Sequence, residues 1–134
     1  MPYARSVPAV AAVLFCVILA ALAVFQIALI AGAPLGHLAW GGQDRVLPRQ
    51  KRIGSVVSIV LYAAFALLAL ERVGLLDLLP SAVDPVVRVL MWIVFAYLVL
   101  GIPLNLISRS KPERYVMTPV ATVLAVLALL VALA

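Results

Sequence analysis

Long apolar runs alternate with short polar connections along the chain. The first run, residues 7–31, holds no charge and one amide, Gln26. At ~1.5 Å rise per residue, about 25 helical residues reach ~37 Å, enough to cross a hydrocarbon core of ~30 Å with some tilt. Pro8 falls in its first turn, where a missing N–H does little harm. The second run starts at Ile53, reaches Glu71 and Arg72 after Leu70, and gains length if residues 73–76 continue it. The third, residues 86–107, is interrupted only by Arg88 near its start, and the fourth, residues 116–134, carries no charge. Backbone N–H and C=O groups cannot go unpaired in lipid, so each run predicts a helix. The expected architecture is all-α: a polytopic membrane protein of one domain, with four transmembrane helices at about 7–31, 53–74, 86–107 and 116–134 in a compact bundle. Polar, basic connections are expected at 32–52 and 108–115, and a short one carrying Asp77 and Asp84 lies between the second and third helices.

Composition narrows the class of protein. Apolar residues make up 67% of the 134, against an ordinary ~45–50%, and charged residues 11%, against ~25%. A soluble enzyme, a nucleic-acid-binding domain and a disordered tail are excluded, because the polar surface is too small to cover so much apolar side chain. The net charge of +5 is read as topology. Arg45, Arg49, Lys51 and Arg52 in the first connection and Arg109, Lys111 and Arg114 in the third outnumber Arg5, Arg72 and Arg88 on the other side. The positive-inside rule then puts connections one and three in the cytoplasm and both termini outside, in a bacterial cytoplasmic membrane. Trp40 and Tyr115 are expected near the cytoplasmic interface and Tyr3 near the outer one. A cleaved signal peptide is disfavoured, because the first run exceeds the ~7–15 residues of a usual apolar core and cleavage would leave residues 45–52 outside. The single cysteine, Cys16, allows no internal disulfide and no CxxC pair.

Two groups of residues carry candidate chemistry. The first is an intramembrane polar seam of Gln26, Ser55, Ser58, Tyr62 and Asn105. Ser55, Ser58 and Tyr62 stand at i, i+3 and i+7 and share a helix face. The seam lines a small site or supplies hydrogen bonds between helices, and the second role is the commoner one for such residues. Thr118 and Thr122 share a face on the fourth helix in the same way. Gly54 with Ser58, Ala121 with Ala125, and Ala128 with Ala132 place small residues where helices approach closely. No charge stands near the middle of a run, which argues against an ion-coupled pump.

The second group is a candidate loop site of His37, Trp40, Gln43, Asp44 and Arg45, set among Gly32, Pro34, Gly36, Gly41 and Gly42. It reads either as a binding or regulatory loop or as a capped turn with a topology signal. One His beside one Asp makes no metal site, and no nucleophile motif or phosphate loop occurs, so neither cofactor nor catalytic residue is assigned. At an offset of 69, Gly32, Pro34 and Leu35 match Gly101, Pro103 and Leu104, and Asp44-Arg45 matches Glu113-Arg114. This reflects either a parallel internal duplication or the narrow composition.

The stretch Ala31-Gly32-Ala33-Pro34-Leu35-Gly36, then Trp40-Gly41-Gly42, Leu47-Pro48 and Arg52, is similar to the first loop of a group of small, uncharacterised bacterial four-helix membrane proteins. Asn105-Leu106-Ile107-Ser108, Glu113-Arg114 and Thr118-Pro119-Val120-Ala121 resemble it too. The resemblance implies the four-helix topology and points to the first loop, and it brings no activity or ligand with it. Three functions follow. The first is a non-catalytic membrane component or regulator packed against a larger membrane protein. The second is a small transporter or channel made by homo-oligomerisation around Ser55, Ser58 and Tyr62. The third and weakest is an enzyme acting on a lipid or quinone through His37 and Asp44. Membrane lipids are the expected surroundings in all three, and nucleic acid is not an expected partner.

Overall fold

The computed structural model describes the backbone of residues 2–134 and the side chains from Ser6 onward. The side chains of Tyr3 and Arg5 lie outside the described residues. Four helices make up the fold: α1 (Pro2–Ile30), α2 (Arg49–Arg72), α3 (Asp84–Leu106) and α4 (Lys111–Ala132), with short 3₁₀ turns at Gly36–Leu38, Trp40–Gly42 and Ser81–Val83. All four are long and apolar enough to cross a membrane. Each packs on its sequence neighbour, and α1 also packs on α4, which closes the ring into a bundle.

All four helices begin earlier than hydropathy predicts, and α1, starting at Pro2, carries Pro8 inside the helix rather than in its first turn. The apolar run marks what fits in lipid, whereas the helix continues into the polar boundary wherever its end groups find partners. Helix α4 starts at Lys111 rather than Val116, so much of the expected third loop is its first turn. Ser110 is the N-cap, its hydroxyl accepting from Glu113 N, and a proline and an acid occupy the first turn. Helix α2 starts at Arg49 rather than Ile53 and has no acid in its first turn. Cations there oppose the helix dipole. Two contacts offset this: Lys51 pairs with Asp44, and Arg52 turns back, donating to Leu47 O (2.7 Å) and Ile30 O (3.4 Å). The Ile30 carbonyl belongs to the last turn of α1, where a cation suits the dipole.

Glycines stop α1 and α2 in the same way. Gly32 (φ 94°) and Gly74 (φ 81°) adopt the left-handed conformation just past each helix. Ala33 N bonds to Ala28 O and Gly32 N to Leu29 O; Leu75 N bonds to Leu70 O and Gly74 N to Glu71 O. Both are Schellman closures, which a side chain at φ above zero disfavours. Gly101 lies inside α3 instead, so the match at offset 69 pairs a helix stop with a helix interior.

The core occupies the half of the bundle next to the second connection. Phe15 and Leu19 (α1), Phe65 and Ala69 (α2), Met91 and Val94 (α3), and Ala125, Ala128 and Ala132 (α4) form one buried cluster. Alanine at spacing four on α4 lets its neighbours approach closely, as the small-residue pattern predicts. Arg72 fastens this end by donating to the carbonyls of Ala132 and Ala134 at the end of α4. Glu71 accepts from the Leu78 and Leu79 amides and shapes the second connection. At the opposite, basic end, the interior is filled by the first connection. Leu29, Ala39 and Leu47 make a second buried cluster there, with Phe25 and Leu35 against it. The outward faces are apolar too, with Val17, Val24, Val60, Ile93 and Val126 exposed, a pattern suited to lipid and not to water.

Candidate functional site

The first connection is a folded element. Gly36 N donates to Arg45 O (2.9 Å), closing it on itself. A Cβ at Gly36 would lie 1.6 Å from Asp44 O, so no side chain fits there. Trp40 has φ 53° and the two glycines after it have φ 75° and 71°. A left-handed tryptophan costs about 1–3 kcal/mol and is held only where the surroundings determine it. Those surroundings are on α2: the indole lies over Gly54, where a Cβ would come within 2.6 Å of the ring.

The third connection and the start of α4 latch this element down. The Glu113 carboxylate accepts from Gly41 N (2.9 Å) and from Ser108 Oγ (2.9 Å), both at Oε2. Ser110 Oγ donates to His37 O, and Ser110 N donates to Ser108 Oγ (3.2 Å). Ser110-Lys111-Pro112-Glu113 has the spacing of a capping box, in which the acid reaches back to the N-cap amide. Here it bonds instead to Ser108 ahead of the cap and across to Gly41 in the first connection. The sequence pattern thus carries the cap, and no local signal carries the partner.

Under this roof, between the helices, lies a cavity of about 390 Å³. Every helix gives it polar side chains: Gln26 from α1, Tyr62 from α2, Tyr97 and Asn105 from α3 and Glu113 from α4. Trp40, Phe25 and Met117 supply much of the remaining wall. Gln26 is only 8% exposed. Its Nε2 donates to Tyr62 Oη (3.5 Å), and its Oε1 has no partner. Asn105 Nδ2 donates to Gly101 O (2.8 Å) on its own helix. Among the described residues Glu113 is the one carboxylic acid in the wall, and no Lys, Arg or His joins it. A Cβ at Gly101, also in the wall, would meet nothing within 4 Å.

The structure therefore joins parts of the two predicted groups and separates the rest. Gln26, Tyr62 and Asn105 of the seam meet Trp40 of the loop at the cavity. Ser55 is fully buried outside its wall with an unpartnered hydroxyl, and Ser58 donates to Gly54 O (3.0 Å) on its own helix. The His37 side chain is exposed, and only its carbonyl is engaged. Gln43 and Asp44 hold Lys51 at the start of α2, and Arg45 is exposed with its carbonyl bonded to Gly36. His37 and Asp44 do not face the cavity. Glu113 and Tyr97 are polar wall residues that belonged to neither predicted group. Compared with protein-family models, with curated proteins and with solved structures, the chain matches none.

Proposed function

We propose that the chain is a non-catalytic component of a bacterial cytoplasmic membrane that holds a small lipid-soluble molecule in the cavity beneath its first loop. The observation that carries this reading is the meeting of polar side chains from all four helices, Gln26, Tyr62, Tyr97, Asn105 and Glu113, at a single cavity. Its volume, about 390 Å³, lies in the ~300–1,000 Å³ range of small-molecule sites. A buried amide with an unused end is costly where nothing binds it, which favours an occupied site over a packing fault.

The loop end is assigned to the cytoplasm by its charge. Arg45, Arg49, Arg109 and Lys111 are all exposed there, and each basic residue near an anionic surface contributes ~1 kcal/mol. Both termini then lie outside, and the cavity sits in the inner leaflet. A dimeric channel built on Ser55 and Ser58 draws less support, because Ser55 is covered by the chain itself and Ser58 is bonded within α2. An enzyme acting through His37 and Asp44 draws less still, since neither faces the cavity.

The test is extraction of the full chain into lipid nanodiscs, followed by native mass spectrometry and organic extraction. One small molecule retained per chain is expected. Gly101→Leu fills open space in the wall and is expected to abolish retention while the protein stays folded. Equal retention by the two proteins refutes the reading.

A further inference from the structure

The polar groups of the cavity specify the head of its occupant. Gln26 is the most buried of them, and one end of its amide is unused. Rotation of an amide exchanges its N and O, so a head that suits Gln26 in either orientation must both donate and accept. A hydroxyl does both. A ketone or ester only accepts, and an ammonium only donates. An anionic head is opposed, because Glu113 is in the wall and no cation is there to pair with it.

The opening specifies the body. On the α3 wall, Tyr97 is 55% exposed, Leu100 64% and Leu104 67%. These residues belong to a membrane-spanning helix. The cavity therefore opens sideways toward lipid, below the roof that Trp40 and Glu113 help to form. A molecule entering there keeps its apolar tail in the bilayer while its head reaches the polar group of Gln26 and Tyr62.

We propose that the occupant is an uncharged membrane alcohol or phenol, taken from the inner leaflet, with its hydroxyl hydrogen-bonded to Gln26 and its tail leaving between the helices over Leu100 and Leu104. This rests on the binding reading above and adds the chemical class. The test uses the full chain in nanodiscs and four probes bearing a diazirine in the tail: a long-chain alcohol, an alkylphenol, the methyl ether of the alcohol and a fatty acid. Crosslinks are mapped by mass spectrometry. The hydroxyl probes are expected to label the segments around Phe25, Leu104 and Met117 about three- to tenfold more than the ether, the range one hydrogen bond supplies. The fatty acid is expected to label no better than the ether. The alcohol and phenol arms distinguish an aliphatic source from an aromatic one. Gln26→Met keeps the side-chain length and is expected to bring the hydroxyl probes down to the ether's level.

Equal labelling by ether and hydroxyl probes in the unsubstituted protein, or preference for the fatty acid, overturns the head assignment and leaves the binding reading standing. Failure of every probe to label these segments, together with no retained molecule, overturns both.

Discussion

Gly54 and Gly101 both lie within membrane-spanning helices, and their surroundings are opposite. A Cβ at Gly54 would come within 2.6 Å of the Trp40 indole, whereas a Cβ at Gly101 would meet nothing within 4 Å. Gly54→Leu must therefore push the indole off α2. It is expected to cost about 1–3 kcal/mol, the usual range for overfilling a packed site. A red shift of Trp40 emission, read in a Trp92→Phe background, reports the displacement. Gly101→Ala is expected to stabilise by about 0.5–1 kcal/mol, because alanine loses less backbone freedom in a helix interior. Reversible unfolding in mixed micelles measures both. A destabilised Gly101→Ala protein would show that the space above Gly101 is filled. Glycines alike in sequence context thus differ in role, and only their non-local neighbours tell them apart.

At the scale of elements, two fastenings hold opposite ends of the bundle. At the basic end Glu113 joins the start of α4 to Gly41 and Ser108. Hydrogen bonds to a charged group contribute about 1.5–3 kcal/mol each. Glu113→Ala is expected to release the first loop and raise trypsin cleavage after Arg45 and Arg49 by tenfold or more, about 1.4 kcal/mol per tenfold. Glu113→Gln keeps one acceptor and is expected to fall between. Unchanged cleavage in Glu113→Ala would mean that Ser110 and the Leu29 cluster hold the loop unaided. At the other end Arg72 donates to carbonyls at the end of α4. Arg72→Ala is expected to fray that turn, seen as faster hydrogen exchange at the Leu133 and Ala134 amides, which donate to Leu129 O and Val131 O. Exchange at Met91 and Val94, in the core of α3, is expected to stay the same.

At the scale of the whole molecule the open quantity is the direction of threading. In a Cys16→Ala background, a cysteine at Gln50 is expected to react only from the cytoplasmic side and one at Ser81 only from outside. Both positions are exposed, on opposite ends of α2 and its connection. The reverse labelling would put the cavity in the outer leaflet. The four helices themselves were legible residue by residue. Each run of apolar side chains has a favourable transfer to lipid, and that quantity adds up locally along the chain. The alanine contacts on α4 were legible for a similar reason, since spacing four defines one helix face. The sequence grouped Gln26, Tyr62 and Asn105 in one seam and Trp40 in a separate loop, and nothing local marked that the two meet at one cavity. Gly41 and Glu113, bonded across 72 positions, had no local mark linking them. Hydropathy and helical period thus determine from the sequence alone that the chain makes four crossings and where its cations collect. Which polar side chains share a cavity, and what latches the loop above it, depends on contacts between remote residues, whose energy no sum over neighbours contains.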